Sequence, residues 1–380
     1  MRPTRSYWER TSLNAPTDFL IVGSGFVGLC AALETRKTFP RASILVVDRA
    51  QVGFGASTRN AGFGCFGSPS ELLDDAKRVP LSTVIDRVER RYRGLQQWLS
   101  WFSPDAFDWF PGGGQEVFSA DKYSLFKECE AFLPELNRQV GSFMNHSSVY
   151  SKNETKHRCP SLPYALSIAI EGHLHPGKLM ELLRKKAQTE HIVLRGGVTI
   201  EPFSHWTRTE KGWEIPSQEG ILVSERVLVA TNAFTQHLFP ELEVEPARGQ
   251  VLLTAPLPQG NPWIGSFHAD EGYLYFRNVG QGLLLGGGRN RFREQEKNDS
   301  GCTSEEVMNY LESFLREHLL PHQPVEITDR WAGTMGFGPK NEKEPLVLQK
   351  APGVVVACRM GGMGVALAPS VATEAVSLFR

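Results

Sequence analysis

The sequence predicts an α/β fold (α+β overall), made of a discontinuous parallel-sheet domain and a second domain with an antiparallel sheet and helices. Two observations predict it. Patterns of strand, glycine loop and helix occur near both ends of the 380-residue chain, with another buried strand in the middle. Amphipathic helical stretches and short apolar strands separated by glycine turns lie between them. One sheet therefore collects distant segments, and the intervening chain builds the second domain.

The first pattern is the most informative. Phe19–Val22 reads as a short buried strand, and Gly23-Ser24-Gly25 as a tight turn. Gly28 falls in the first turn of an apolar helix that continues through Leu33. In the G-x-G-x-x-G pattern the first glycine permits the turn, the second lets backbone approach a pyrophosphate, and the third lets helix and strand pack closely.

The next strand completes this unit. Ile44–Val47 is apolar, and Asp48 stands at its end, about twenty residues past the last glycine, where an acid accepts hydrogen bonds from a ribose. The helix N-terminus offers unpaired N–H groups and partial positive charge to phosphates. A glycine turn without a ligand is the alternative, but strand, helix and acid together favour a dinucleotide site.

The rest of the chain is read from periodicity and breakers. We expect helices over about 71–102 (broken at Pro80), 121–140, 176–190, 304–318 and from 365. We expect strands at Gly197–Ile200, Trp213–Ile215, Ile221–Val223, Arg226–Ala230, Gly249–Ala255, Gly272–Arg277, Gly282–Gly287 and Val354–Ala357.

Composition excludes several classes of function. The net charge is −1, so no global field favours nucleic acid or an anionic membrane. The six cysteines are scattered without a C-x-x-C pair, which argues against a zinc site or a disulfide framework. The polar N-terminus is not a signal peptide, and no apolar stretch is long enough for a membrane span. We expect a cytoplasmic protein without a metal.

The second glycine loop narrows the choice of dinucleotide. Arg359–Gly364 joins the strand Val354–Ala357 to the last helix. A second helix N-terminus in such a loop suits a ligand with a second polar end, such as the ring carbonyl of a flavin. An ordinary strand–helix turn is the alternative.

Here the chain resembles the D-amino-acid oxidase (DAO)-type FAD-dependent oxidoreductases, in motifs closest to the γ-glutamylputrescine oxidoreductase, glycine oxidase and sarcosine oxidase branch. The resemblance covers nearly the whole chain. It rests on Val22–Gly28, Val46–Asp48, Gly55–Gly62, His175–Leu179, Val229–Ala233, Arg248–Gln250, Arg330–Gly333 and Gly361–Val365.

The resemblance implies the chemistry. In such proteins FAD takes a hydride from the carbon beside an amine or amino-acid nitrogen, the imine is hydrolysed, and O2 or another acceptor reoxidises the flavin. The cofactor performs the difficult step, so the lack of a Ser-His-Asp set is expected. The implied partners are a small-molecule amine or amino acid and an electron acceptor.

The resemblance also implies cofactor-binding residues. Arg49 would flank adenine or ribose, or be a solvated arginine; Arg59 would meet phosphate or ring, or pair with a carboxylate; Val198 would contact the adenine, or only pack in the core. The full expected set is Gly23, Ser24, Gly25, Gly28, Asp48, Arg49, Ala56, Ser57, Arg59, Asn60, Ala61, Gly62, Val198, Gly333, Gly362, Met363, Gly364 and Val365.

On the substrate side, Tyr273, Tyr275 and Arg277 alternate along a predicted strand and so share a face. They form either a substrate wall or an aromatic core face with a snorkelling arginine. Trp331 stands where some members carry the cysteine that is covalently linked to flavin, so we expect non-covalent FAD. Tyr275, Arg277 and Trp331 are the candidate catalytic residues.

Departures from the family pattern concern the substrate. Positions that hold a carboxylate-binding arginine or lysine in some members read here as Gly362 and Ala366. An unpaired buried carboxylate is costly, so an amine, or a substrate with a more distant carboxylate, is favoured over a simple α-amino acid unless Arg277 or Arg289 binds the carboxylate. A lysine placed over the flavin in some oxidases corresponds to leucine within Gly282–Gly286, which slightly weakens oxidase against dehydrogenase.

The expected FAD-binding domain comprises 17–80, 155–240 and 328–380, and the substrate domain 81–154 and 241–327. Two other hypotheses stay open. One is a flavin-binding subunit or non-catalytic flavoprotein of a larger dehydrogenase, and the other is an NAD-dependent dehydrogenase. The amine, the acceptor and the oligomeric state are not specified by the sequence.

Overall fold

The computed structural model describes residues 6–51, 53, 55–153, 160–339 and 342–380, without the side chains of residues 10 and 13. The chain divides into two compact units. The first comprises 1–58, 177–247 and 334–380, and the second comprises 59–176 and 248–333. Of the predicted FAD-binding domain, 59–80, 160–176 and 328–333 lie in the second unit. The two units are defined by compactness, whereas the predicted domains are defined by their expected contact with FAD. The units therefore do not test the predicted domain limits, which remain a prediction.

Eight α-helices are described, numbered in chain order. They are α1 Phe26–Thr38, α2 Ala56–Arg59, α3 Pro69–Ala76, α4 Leu81–Trp101, α5 Tyr123–Met144, α6 Pro176–Thr189, α7 Glu305–Phe314 and α8 Gly364–Ser377. The expected break at Pro80 is present, since α3 ends before it and α4 begins after it. Leu315–Leu319 extends α7 as a π-helical turn. No described helix has the length and apolar character needed to cross a membrane.

The first unit is built on an eight-stranded sheet. Its strands are β1 Thr17–Val22, β2 Ile44–Asp48, β8 Val193–Gly196, β9 Thr207–Thr209, β10 Gly212–Ser217, β11 Gly220–Val229, β17 Leu346–Ala351 and β18 Val354–Cys358. The main path of the sheet has the order β17-β18-β11-β1-β2-β8. Strand β10 also pairs with β11, and β9 pairs with β10. Strands β18, β11, β1, β2 and β8 are parallel, as in a Rossmann-type sheet, and come from all three segments.

The second unit is built on another eight-stranded sheet, in the order β16-β12-β15-β14-β13-β4-β6-β5. Its strands are β4 Gly114–Phe118, β5 Tyr150–Lys152, β6 Tyr164–Ile168, β12 Glu245–Thr254, β13 Ser266–Ala269, β14 Leu274–Val279, β15 Gly282–Gly287 and β16 Ile327–Phe337. The described pairings are antiparallel except β13 with β4. Strands β3 Phe63–Gly64 and β7 Gly172–His173 form a small separate pair.

The two faces of this second sheet differ. Leu252, Phe276 and Leu285 belong to the main core of the unit, together with residues of α7. Their neighbours along the same strands, among them Val251, Tyr275 and Leu284, belong to a separate small apolar cluster. Successive side chains of a strand point to opposite faces, so this small cluster defines the second face of the sheet.

The predicted fold class is confirmed: parallel and antiparallel sheets with helices, and a first unit assembled from three segments. One predicted strand is wrong. The strand expected at Gly197–Ile200 is Val193–Gly196 instead. Gly197 takes a left-handed conformation (φ +76°), which turns the chain away after Gly196, and Ile200 makes only an isolated bridge to Ser217.

Candidate functional site

In the loop after β1, the backbone approaches other backbone so closely that only glycine fits at two positions. Gly23 has φ +106°, and a β-carbon there would lie 2.6 Å from the carbonyl oxygen of Ala230. A β-carbon at Gly28 would lie 1.8 Å from the carbonyl oxygen of Gly23. The first glycine therefore makes the turn, and the third lets α1 pack onto it.

Ser57 lies at the N-terminus of α1. Its Oγ accepts a hydrogen bond from the Phe26 N–H (2.9 Å), and a β-carbon at Gly25 would come within 2.9 Å of the same oxygen. Ser57 and Ala56 belong to the short helix α2. Gly25, which has no side chain, and the Ser57 hydroxyl therefore lie together at the N-terminus of α1. The partial positive charge of this helix end attracts anions.

Asp48 ties the end of β2 to this loop. Its Oδ2 accepts hydrogen bonds from the Ser24 N–H (2.7 Å) and the Ser24 hydroxyl (3.0 Å). Its Oδ1 accepts from the Ala50 N–H (2.9 Å). A carboxylate oxygen has more than one lone pair, so these bonds hold Asp48 in place and leave acceptor capacity for a ribose hydroxyl.

Two other predicted residues lie near Asp48. The Val198 N–H donates to the Asp48 carbonyl (2.9 Å), and the buried Val198 side chain belongs to the core of the first unit. These contacts match the core interpretation, and contact with an adenine stays a prediction. The exposed Arg49 guanidinium lies over the Phe234 ring, 3.9 Å from its centroid.

The last glycine loop joins β18 to α8. Gly362 is exposed and a β-carbon there would meet nothing within 4 Å, Met363 precedes α8, and Gly364 and Val365 are its first residues. The Met360 N–H donates to Asn232 Oδ1 (3.1 Å), which pins the loop. The motif around Asn232 carried no assigned role in the sequence, because its partner is distant in the chain.

These features fit a dinucleotide. The first unit offers the N-termini of α1 and α8, where backbone N–H groups lack partners within the helix, and glycine surfaces without side chains beside both loops.

In the second unit, the side chains of Arg59 and Trp331 each donate a hydrogen bond to a backbone carbonyl at or next to the other residue. The Trp331 indole N–H donates to the Arg59 carbonyl (3.0 Å), and the Arg59 guanidinium donates to the Ala332 carbonyl (2.9 Å). A β-carbon at Gly333 would lie 3.0 Å from the Arg59 Cβ. Asn60 Oδ1 accepts from the Gly62 N–H (2.8 Å), which shapes the following turn.

Arg277 is buried and braces the same segment. Its Nε donates to the Ala61 carbonyl (2.5 Å), its Nη2 to the Leu174 carbonyl (3.2 Å) and its Nη1 to the Asn278 carbonyl (3.0 Å). Burial lowers the pKa of Arg277 to about 10. Three of its five N–H groups are therefore committed to backbone carbonyls.

Tyr275 and Trp331 lie together on the second face of the sheet. Both pack against a cluster formed by Ala61, Val251 and Leu284. Burial raises the pKa of Tyr275 to about 12, so its hydroxyl stays protonated. The part of the chain that the structure describes provides no hydrogen-bond partner for this hydroxyl. A β-carbon at Gly286 would lie 2.5 Å from the Tyr275 ring, so glycine is needed there for the ring to lie across β15.

The predicted alternation of three residues on one strand is wrong for Tyr273. Strand β14 begins at Leu274, and Tyr273 lies in the preceding turn, where its N–H donates to the Asp270 carbonyl (3.0 Å). Left-handed conformations at Asp270 and Glu271 place the turn there. The half-buried Arg289 lies over the Tyr273 ring, 5.9 Å from its centroid.

Sequence reasoning missed a group of buried ionisable residues in this unit. His268 Nε2 lies 2.9 Å from Glu171 Oε2, and both residues are buried. Glu116, also buried, accepts from the Ser70 N–H (2.9 Å) and the Ser68 hydroxyl (3.0 Å). Burial raises the pKa of Glu116. No spacing in the sequence indicates this group.

Known proteins share this architecture. The chain is 25% identical over 265 residues to the probable oxidoreductase OrdL of Haemophilus influenzae, covering 64% of this chain and 56% of that relative. The fold matches glycine oxidase from Geobacillus kaustophilus with a TM-score of 0.74, 16% identity and coverage of 96% and 95% of the two chains. It matches L-proline dehydrogenase from P. horikoshii with a TM-score of 0.71, 17% identity and coverage of 96% and 93%.

The family comparison spans almost the entire chain. The model of the DAO family, described as FAD dependent oxidoreductase, matches residues 18–378. The matched range contains both glycine loops and the second face of the antiparallel sheet. The chain therefore belongs to the DAO family of FAD-dependent oxidoreductases.

Proposed function

We propose that this protein oxidises the C–N bond of an amine or amino acid to an imine, which water then hydrolyses. Bound FAD supplies the two-electron oxidant for such a reaction. The observation that carries the proposal is the apolar face with Tyr275 and Trp331, where the Tyr275 hydroxyl has no hydrogen-bond partner among the described residues.

In this proposal the first unit holds the nucleotide. Ser24 and Gly25 contact the pyrophosphate with Ser57 beside them, Gly23 and Gly28 shape the loop that presents them, and Asp48 accepts from the ribose. Gly362–Val365 offers its amides to the flavin ring. We further propose that FAD is held without a covalent bond, because tryptophan at position 331 cannot form the cysteinyl link. Acid precipitation then leaves all flavin in the supernatant.

The three candidate catalytic residues receive different roles. Tyr275 contacts the substrate through its hydroxyl, and Trp331 provides an apolar wall. Arg277 acts as a positioning residue, because its bonds to the Ala61 and Leu174 carbonyls fix the segment before β3. These bonds and the bond to the Asn278 carbonyl leave only two of its five N–H groups for a substrate carboxylate.

The proposed substrate class depends on the lack of a positively charged side chain at positions 362 and 366. Gly362 and Ala366 carry no charge, and three of the five N–H groups of Arg277 are committed to carbonyls, so an α-carboxylate would lose its hydration without a fully available cationic partner. We propose an amine, or an amino acid whose carboxylate lies outside the apolar face. Arg289 is the remaining candidate for binding such a carboxylate.

Glycine oxidase and L-proline dehydrogenase, both similar in fold, act on small amines that carry a carboxylate, according to their names. These resemblances support C–N oxidation and leave the acceptor open. The alternative is a flavin-binding subunit without its own chemistry.

The test is anaerobic titration of the purified protein with a panel of amines and amino acids, while absorption in the visible flavin band is measured. Bleaching by an amine supports the proposal, and admitting air then tests O2 as the acceptor. A band that no compound bleaches would favour the non-catalytic alternative. Absence of the band, even after added FAD, would contradict the cofactor assignment.

A further inference from the structure

Glu171 and His268 form a buried carboxylate–imidazole pair in the second unit. Glu171 is 1% exposed and His268 is 7% exposed. One carboxylate oxygen of Glu171 contacts His268 Nε2 at 2.9 Å, and the other, Oε1, is buried without a hydrogen-bond partner among the described residues. A buried carboxylate with a single partner depends on that partner for its charge balance.

The charge of Glu171 acts on the histidine. Burial alone lowers the pKa of His268, but attraction to Glu171 and their hydrogen bond, with further attraction to Glu116 and Glu71, raise it above its ordinary value. His268 is therefore a stronger base than a free imidazole. Its other nitrogen, Nδ1, has no hydrogen-bond partner in the described part of the chain.

The pair lies on the same face as Tyr275. His268 stands directly opposite Tyr275 in the β13–β14 register, so both side chains point to one side of the sheet. The Phe63 ring contacts both, with centroid distances of 5.3 Å to His268 and 5.6 Å to Tyr275. A base and an unpartnered hydroxyl thus flank one aromatic ring.

The charged neighbours of His268 come from several elements. Glu116 on β4 stands opposite it in the parallel register, and Glu71 on α3 is paired with Arg91. His173 on β7 stays neutral near pH 7, because burial and the charge of Arg277 lower its pKa to about 3. Among the described residues, Glu171 is the one hydrogen-bond partner of His268.

We propose that His268, held and charged by Glu171, accepts the proton that a substrate ammonium must lose before its C–N bond is oxidised. One N–H bond of the ammonium breaks and an Nδ1–H bond forms on His268, while the amine keeps its electron pair. The negative charge of Glu171 then balances the positive charge of the His268 imidazolium. The proposal rests on the proposed function, since it needs an amine substrate. His268 is the proton acceptor, and Glu171 is a positioning residue.

The first test is the pH dependence of the limiting rate of flavin bleaching under anaerobic conditions, at saturating amine. In the unchanged protein we expect the rate to rise with pH as His268 loses its proton. Glu171→Gln keeps the hydrogen bond but removes the charge, so the rise moves to lower pH by about one unit. His268→Gln lowers the rate by about 100-fold and abolishes this titration.

His173→Gln is the matched control, because it removes a second buried histidine of the same unit, for which the described residues provide no carboxylate partner. Its pH profile is expected to match the unchanged protein. Profiles for Glu171→Gln and His268→Gln that coincide with it would overturn the proposal.

A second measurement separates this proposal from the proposed function. Histidine Cε1–H resonances of the FAD-loaded protein are titrated without substrate, and the His268 signal is identified by its loss in His268→Gln. We expect it to titrate above the ordinary imidazole range, and lower in Glu171→Gln. Titration at or below that range contradicts the proposal. Failure of every amine to bleach flavin, with the raised titration intact, contradicts only the proposed function.

Discussion

The glycine loops of the first unit and the second face of the antiparallel sheet are built in opposite ways. The loop after β1 depends on backbone that no side chain obstructs, and its glycines lie within six positions, from Gly23 to Gly28. The sheet face depends on side chains from β12, β14, β15 and β16 together with Ala61 and Phe63. The loop after β1 tolerates almost no added atom at Gly23 and Gly28, whereas the sheet face is sensitive to the loss of particular donors.

The largest effect is expected in the glycine loop. Gly28→Ala would place a methyl group 1.8 Å from the Gly23 carbonyl oxygen, so the helix or the turn must shift. We expect a loss of about 3 kcal/mol or more in the free energy of unfolding, and no flavin band after purification. Thermal unfolding and visible absorption check this.

Gly55→Ala is the steric control, because a β-carbon there meets nothing within 4 Å. It should fold with a transition close to that of the unchanged protein. Equal stability of the Gly28→Ala protein would show that the close approach is relieved without cost.

Acid should destabilise the second unit through His173. Because its folded-state pKa of about 3 lies below the unfolded value of about 6.5, the stabilisation from keeping it neutral is complete above pH 6.5 and is lost as pH falls toward 3. We expect a loss of about 3 kcal/mol by pH 4, measured by urea unfolding. His173→Gln should remove this part of the acid sensitivity, and an unchanged pH dependence would argue against it.

Arg277→Met distinguishes bracing from substrate binding. It leaves the Ala61, Leu174 and Asn278 carbonyls without a donor, and we expect a loss of about 3 kcal/mol in unfolding free energy. Arg93→Met, at a side chain that is 70% exposed, serves as the control and should change stability by less than about 0.5 kcal/mol. A normal stability with only a raised KM would identify Arg277 as a substrate contact instead.

Tyr275→Phe should change the rate without changing stability, because its hydroxyl has no partner in the described structure. We expect bleaching to slow by about tenfold or more with an unchanged unfolding midpoint. Tyr150→Phe should behave in the opposite way, since the Tyr150 hydroxyl donates to the Gly67 carbonyl (3.0 Å). Identical rates for Tyr275→Phe and the unchanged protein would remove the hydroxyl from the proposed site.

The smallest effect is expected for Trp331→Phe. It removes one N–H donor to the Arg59 carbonyl and keeps most of the apolar surface. A decrease of about 1 kcal/mol in unfolding free energy is expected, measured by denaturant titration. A loss far larger than this would mean that ring shape, rather than the hydrogen bond, holds Arg59.

The two regions also explain what the sequence could predict. The roles of Gly23 and Gly28 follow from a local pattern, because turn, strand and helix are contiguous in the chain. The strand at Gly197–Ile200 was misplaced because four apolar or small residues resemble a strand, while the left-handed Gly197 ends it.

The Glu171–His268 pair was not predictable from any motif. Its members are 97 positions apart, and only the pairing of β13 with its neighbours brings them to one face. The sequence predicts Tyr275 on the substrate side because it alternates with Arg277 along one strand. Tyr273 was wrongly grouped with it, because a turn can precede a strand without any change in side-chain alternation.

The three-segment first unit has a consequence for biosynthesis. Strand β1 is made before the other strands of the unit, but β18, which completes the parallel sheet beside β11, and α8, which packs on α1, are made after its other strands and helices. Until then the apolar edge of β11 and one side of α1 lack their partners. A nascent chain therefore carries this exposed apolar surface until β18 and α8 are made, and it should need chaperone protection for longer than a protein with a contiguous nucleotide domain. Removing the last thirty residues should cause aggregation rather than a trimmed but folded protein.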